Sequence, residues 1–166
     1  MGAKLHLYLR RCSIEIWLAT LNDIEALCPL LTEFFAYNAG LQPMYCNATV
    51  ERGEYPKNTI ESDSADFLLA IESDAVLGFV HISQATTPPF ASIVPHRYAE
   101  IMAFMITVSH RGQGIGSKLI EAAKQWGNAR NLDYIEAISL VNVEANGFYD
   151  NAGFVTMSHI RRYALI

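Results

Sequence analysis

Residues Tyr98 to Val108 form a long apolar run rich in β-prone residues. It passes without a spacer into Ser109-His110-Arg111-Gly112-Gln113-Gly114-Ile115-Gly116. Beyond that point the pattern changes period. Ile115, Leu119, Ala123 and Trp126 recur at helical spacing, flanked by Ile120 and Ala122, and predict a helix to about Arg130. Strand, glycine-rich turn and helix therefore follow in one unit. Three glycines alternate where the helix must start. A helix start exposes unpaired N–H groups and the positive end of the dipole. Glycines let a ligand approach the backbone with no Cβ in the way. Such a unit predicts a cradle for phosphate.

Two common phosphate loops do not fit. A Walker A loop needs G-x-x-x-x-G-K-[ST], and the sixth position from Gly112 is Ser117. A dinucleotide fingerprint needs G-x-G-x-x-G, which fails at Ser117 in one frame and at Leu119 in the other. The pattern present is Arg-x-x-Gly-x-Gly.

The rest of the chain reads as alternating elements. Ile14 to Ala19 predicts a first strand. Thr20 and Asp23 resemble a capping box ahead of a helix that carries Ile24, Leu27, Leu31 and Phe34 and stops near Gly40. Residues 41–65 are poorly patterned, with one short helix expected near Lys57 to Ser62. Asp66 to Ile71 and Ala75 to Gln84 read as strands joined by a tight turn at Ser73-Asp74. Tyr134 to Leu140 is a further strand, Glu144 to Asn151 a short helix, and Val155 to Leu165 a closing strand. The expected fold is a mixed α/β layer around a central sheet.

Composition bounds the function. The chain has 166 residues, 51% hydrophobic and 17% charged, enough to bury a core within one domain. Twelve Lys and Arg against seventeen Asp and Glu leave −5, with no basic stripe of the kind nucleic-acid binding needs. No apolar run reaches the roughly 18 residues of a membrane span. Cys12, Cys28 and Cys46 form no CxxC pair, and no secretory signal is visible. A reducing, cytoplasmic setting is expected. No His, Cys or Asp cluster has metal-ligand spacing. Residues 1–13 read as an N-terminal extension whose Leu5, Leu7, Tyr8 and Leu9 suit either an added edge strand or a homodimer contact.

On these motifs the chain resembles the GNAT superfamily of acyl-CoA N-acyltransferases. The family's strand, [Gln/Arg]-x-x-Gly-x-[Gly/Ala] loop and helix match Arg111 to Gly116. Its later Asn-x-x-Ala-x-x-[aromatic or Leu]-Tyr and Gly-Phe elements match Asn142, Ala145, Phe148, Tyr149 and Gly153-Phe154. Ala19-Thr20-x-x-Asp23 resembles the start of its first helix. The likeness spans about residues 14–165, nearly the whole chain.

The resemblance implies a central sheet with helices on both faces and strands splayed around acetyl-CoA, the co-substrate. It implies that loop amides of Arg111, Gly112, Gln113, Gly114, Ile115, Gly116 and Ser117 hold the pyrophosphate. Ile106 and Val108 would border the pantetheine arm, and Asn142 would hold that arm by side-chain hydrogen bonds. Tyr149 matches the family's general acid. Glu100 matches the base that some branches use, often through water, with Glu136 its rival. The implied reaction is direct acetyl transfer to a primary amine of a small molecule in a ternary complex. Two alternatives share the fold: a protein lysine or N-terminal acetyltransferase, and a non-catalytic acyl-CoA sensor. Tyr37, Tyr45, Glu51, Glu54 and the Pro88 to Arg97 loop are the acceptor-site candidates.

Overall fold

The computed structural model describes residues 13–139, 143–163 and 165. In chain order the elements are β1 (Glu15–Leu18), α1 (Ile24–Leu41), α2 (Glu54–Ile60), β2 (Ala65–Glu72), β3 (Ala75–Thr86), β4 (Arg97–Ile106), α3 (Ile115–Ala129), β5 (Ile135–Ala137) and α4 (Val143–Asn151). The described strands form one sheet in the order β1-β2-β3-β4-β5. The first three pairings are antiparallel and β4–β5 is parallel. Ser73 and Asp74 turn β2 into β3 with φ of 49° and 65°. Two successive left-handed residues give the hairpin turn whose twist suits its strands.

Each face of the sheet buries its own core. On one, Leu27 and Leu31 of α1 pack with Phe67, Leu69, Phe79, Ala103 and Met105. On the other, Ile115, Leu119, Ala123 and Trp126 of α3 pack with Leu68, Val80, Ile82 and Ile101. The helical stripe read from the sequence is the face that α3 buries. Its far end is tied to β2 by Asp66, whose carboxylate accepts from Trp126 Nε1 at 2.6 Å and Arg130 at 2.9 Å. Thr20 and Asp23 do meet: the Asp23 carboxylate accepts from the Thr20 N–H at 2.7 Å and hydroxyl at 2.8 Å. Helix α1 runs on through Pro29 and one residue past Gly40.

A bulge in β4 decides which residues reach which face. Ile82 pairs with Ile101 but His81 pairs with Ala103, so Met102 is the extra residue. Ala99 and Ile101 pack on the α3 side. After the bulge Phe104 and Ile106 take that side, and Ala103 and Met105 turn toward α1. Tyr98 and Glu100, alternating with Ala99 and Ile101, therefore lie on the α1 face.

The sheet also opens at this strand. β5 pairs with β4 over three residues only, ending at Ile101 and Ala137. β4 continues to Ile106 with no partner on that side among the described residues. The expected splay is thus present, and it explains why the strand expected over Tyr134 to Leu140 is shorter. A diverging strand loses its ladder.

The closing strand expected over Val155 to Leu165 is not formed: none of its described residues is in a strand. Its residue types favour strand, but a lone segment without a neighbouring edge gains no ladder hydrogen bonds. The 1–13 extension, apart from Ser13, lies outside the described residues, as does Asn142.

Candidate functional site

The glycine loop is held from below. Thr107 N–H and hydroxyl both donate to the Leu77 carbonyl, at 2.9 and 3.0 Å. The same hydroxyl oxygen lies 2.9 Å from His110 Nδ1, which lies 2.9 Å from the Ser109 hydroxyl as well. Arg111 Nε donates back to the Ile106 carbonyl at 3.2 Å, and Gln113 to the Ser109 carbonyl at 3.2 Å. Both side chains brace the loop.

The loop's backbone is left free. Gly112 and Gly114 have φ of 74° and 79°, the left-handed region where a Cβ is strained. The first N–H bond of α3 is Lys118 to Gly114, at 3.2 Å. The N–H groups from Gly112 to Ser117 have no acceptor among the described residues. Six consecutive donors at the positive end of a 15-residue helix form an anion cradle. Gly116 serves another purpose. A Cβ there would lie 2.8 Å from the Phe148 ring and 3.2 Å from Ile106 Cδ1, so it lets α4 pack against the start of α3. The Ile115 side chain is buried and only its N–H faces the cradle, whereas Val108 and Ser117 are exposed. Lys118 turns away and donates to the Ile14 carbonyl at 3.1 Å.

Tyr149 of α4 sits beside the unpaired stretch of β4, on the α3 side. Its ring centroid lies 6.5 Å from Phe104, 5.4 Å from Phe148 and 5.2 Å from Phe154. Burial among these rings pushes its hydroxyl pKa up to about 12. It is a protonated donor at every physiological pH.

Glu100 lies on the opposite face of β4, so the structure does not bring the two candidates together on one side. Its partner in the parallel ladder is Glu136. The preceding pair on that face is Tyr98 and Tyr134, stacked at 4.9 Å and 10°. Partial desolvation, then the carboxylates of Glu136 and Glu100, hold Tyr98 above the ordinary tyrosine range. Two carboxylates and two tyrosines so form a block at the foot of the splay, on the α1 face. Such a block attracts a cation by charge and by ring quadrupole.

Most acceptor-loop nominations have structural work. The Glu51 carboxylate accepts from the N–H groups of Arg52 at 2.9 Å and Gly53 at 2.8 Å, shaping the entry to α2. Tyr45 is covered by the Arg162 guanidinium, 4.7 Å from its ring centre. The Pro88 to Arg97 loop is closed at its base by Thr87 and His96. An open groove of about 930 Å³ lies outside α1, lined by Ile24, Cys28, Thr32 and Val50 among others. None of its lining residues belongs to β4, β5 or the glycine loop, so it is separate from this site.

One pair near the site is not predicted from sequence. His81 on β3 is hydrogen-bonded through Nδ1 to the Tyr55 hydroxyl of α2, and its ring lies 4.7 Å from Phe67. Burial lowers the His81 pKa to about 4. Burial and then Glu51 raise Tyr55 to about 12. The inward period of β3, Phe79-x-His81-x-Ser83, is the signal that places this histidine inside. Nothing in residues 41–65 signals its partner.

The family model described as the acetyltransferase (GNAT) family matches residues 24–154. The chain belongs to the GNAT acetyltransferase family. It is an acyltransferase, and the matched span includes the glycine loop. Solved structures agree on the fold. A mutant of the BH1408 protein from Bacillus halodurans superposes with a TM-score of 0.85 at 19% identity, over 92% of this chain and 99% of that one. An aminoglycoside acetyltransferase from an uncultured soil metagenomic sample superposes at 0.69 with 22% identity, over 93% and 99%. Aminoglycoside N-acetyltransferase AAC(6′)-Iy in complex with CoA does so at 0.69 with 17% identity, over 95% and 98%. No curated protein matches the chain by sequence. Among the described residues no helix is long and apolar enough to cross a membrane.

Proposed function

We propose that this GNAT acyltransferase is a single-domain N-acetyltransferase that moves an acetyl group from acetyl-CoA to a primary amine of a small molecule, both bound at once. The observation that carries the reading is the continuity of three features. A cradle of six free amides sits at the end of β4, the bare edge of β4 leads away from it, and an acidic, aromatic block stands on the other face. That sequence suits an anionic head, an extended arm and a cationic acceptor. The aminoglycoside enzymes among the structural neighbours point to the same class of acceptor.

Acetyl-CoA, when bound, supplies the acetyl thioester. The amides from Gly112 to Ser117 hold its pyrophosphate, with Asn142 nominated for the arm. The free N–H groups of β4 near Phe104 to Ile106 are the donors toward the thioester carbonyl oxygen. Glu100, helped by Glu136, draws the ammonium form of the acceptor and takes its proton, directly or through water. Tyr149 returns a proton to sulfur as the thiolate leaves. Its raised pKa keeps it loaded for that step. Glu100 and Tyr149 act from opposite faces, and the splay is the opening through which they reach one centre.

The test is amine-dependent release of free thiol from acetyl-CoA, with a panel of mono- and polyamines and a lysine peptide. Turnover of a soluble amine with saturable KM supports the reading. Binding of acetyl-CoA with no turnover of any amine would mark a sensor, and turnover of the peptide alone would mark a protein acetyltransferase.

A further inference from the structure

The α1 face of β3 and β4 changes character within one row. His81 pairs with Ala103, and the two are only 6% and 4% exposed. The next pair on that face, Ser83 with Glu100, is half-buried. His81 thus marks the boundary between the apolar core and the block of carboxylates and tyrosines. It stands one row from Glu100 on the neighbouring strand, a diagonal within reach of a long side chain.

The partner of His81 comes from outside the sheet. Tyr55 lies in α2, and its ring packs on Phe35 at 6.0 Å, Phe67 at 5.8 Å and His81 at 5.3 Å. Its hydroxyl bond to Nδ1 is, among the described residues, the one side-chain hydrogen bond that joins α2 to a strand. The loop before α2 has a second fixed point, where the Glu51 N–H donates to the Thr32 hydroxyl of α1 at 3.0 Å. Loop and helix are therefore pinned to α1 at one end and to β3 at the other.

Packing does not require this hydrogen bond. The cluster around it is otherwise Phe34, Phe35, Phe67 and Phe79, and two more apolar rings would fill the same space. Burying polar atoms there carries a desolvation cost that the bond largely cancels, so its net gain in stability is small. The cost is visible in both titrations, His81 held down at about 4 and Tyr55 held up at about 12. What the bond adds is direction. Ring contacts let a helix slide over a sheet, whereas a buried hydrogen bond fixes one placement.

Resting on the N-acetyltransferase reading, we propose that Tyr55 and His81 are positioning residues for the amine acceptor. Their bond holds α2 and the loop before it, with Glu51 and Glu54, beside the row of Glu100, and so closes the inner end of the acceptor site.

The experiment is steady-state kinetics with butylamine, spermidine and a lysine peptide as acceptors, beside thermal melts, on the native chain, Tyr55→Phe and His81→Asn. Tyr55→Phe keeps every ring contact and removes the bond. It should raise KM for the amine about ten-fold, the scale of one hydrogen bond, with KM for acetyl-CoA unchanged and little loss of Tm. His81→Asn sets an amide where Nδ1 stood and keeps the bond to Tyr55, but it gives up the ring contact with Phe67. It should lower Tm more and raise KM less. Opposite rankings in KM and Tm support the proposal, because a merely structural pair would give the same ranking in both. An amine KM unchanged in Tyr55→Phe, or raised together with KM for acetyl-CoA, would overturn it, and that readout stands alone if His81→Asn does not fold. A native chain that turns over none of the amines would overturn the acetyltransferase reading itself, and this inference with it.

Discussion

Glu100 and Glu136 stand opposite each other in the three-residue parallel ladder of β4 and β5, on the same face of the sheet. Like charges paired across strands destabilise a sheet unless a cation lies between them. The two carboxylates proposed to serve the acceptor are therefore one pair, and their effects should be coupled. Glu136→Gln should raise Tm, because it removes the repulsion, while raising KM for the amine. Glu100→Gln should lower kcat by about 10²-fold or more, the scale of a general base. The double variant should lose less than the product of the single losses. Steady-state kinetics on the four proteins checks this. Independent, multiplicative effects would separate the two carboxylates.

Tyr149 offers a cleaner test, since its surroundings are apolar rings. Tyr149→Phe keeps the packing with Phe104, Phe148 and Phe154 and removes only the proton donor. The expected result is a kcat lower by about 10²-fold with KM for acetyl-CoA unchanged. With the hydroxyl pKa near 12, the native rate should show no tyrosine titration up to about pH 10. Unchanged turnover in the variant would remove Tyr149 from the mechanism.

What could be read in advance divides along physical lines. The glycine loop was legible because its chemistry is local backbone chemistry: alternating glycines before an apolar helical stripe allow few other geometries. The Ser73-Asp74 hairpin was legible for the same reason. The bulge at Met102 was not. Ile101 to Ile106 is apolar on both faces, so a one-residue slip leaves no mark in the pattern, yet it decides that Glu100 faces α1 while Phe104 faces Tyr149. The segment from Val155 has the residues of a strand, but strand formation depends on a neighbouring edge, which no single segment encodes. The Tyr55–His81 pair joins residues 26 apart in sequence, across two elements, and only the fold brings them together.

The three loop glycines should respond differently to alanine. At Gly112 and Gly114 the Cβ meets no protein atom within 4 Å, and the cost is backbone strain from positive φ, about 1–2 kcal/mol per residue. Gly114→Ala should therefore weaken acetyl-CoA binding with a modest loss of Tm, as the cradle relaxes away from the strained conformation. Gly116→Ala drives a methyl into the Phe148 ring and Ile106. It should lower Tm more and lower kcat, because Phe148 carries its neighbour Tyr149. Calorimetric titration with CoA, set beside thermal melts, separates the two. Normal CoA affinity in Gly114→Ala would count against the cradle.

The acid limb of stability should belong to His81. Its folded pKa is depressed from 6.5 to about 4 by burial against Phe67 and Tyr55. The unfolded chain then binds a proton that the folded chain refuses between these values. Folding stability is complete above about pH 6.5 and falls as pH drops toward 4, by an amount on the order of 2–3 kcal/mol. His81→Phe removes the titration and keeps a ring of similar shape, though it leaves the Tyr55 hydroxyl without its hydrogen-bond partner. The variant should accordingly be less stable at pH 8 but lose much less between pH 6.5 and 4. Urea melts at both pH values measure the two slopes, and equal acid losses in native and variant chains would show that other groups, not His81, govern the limb.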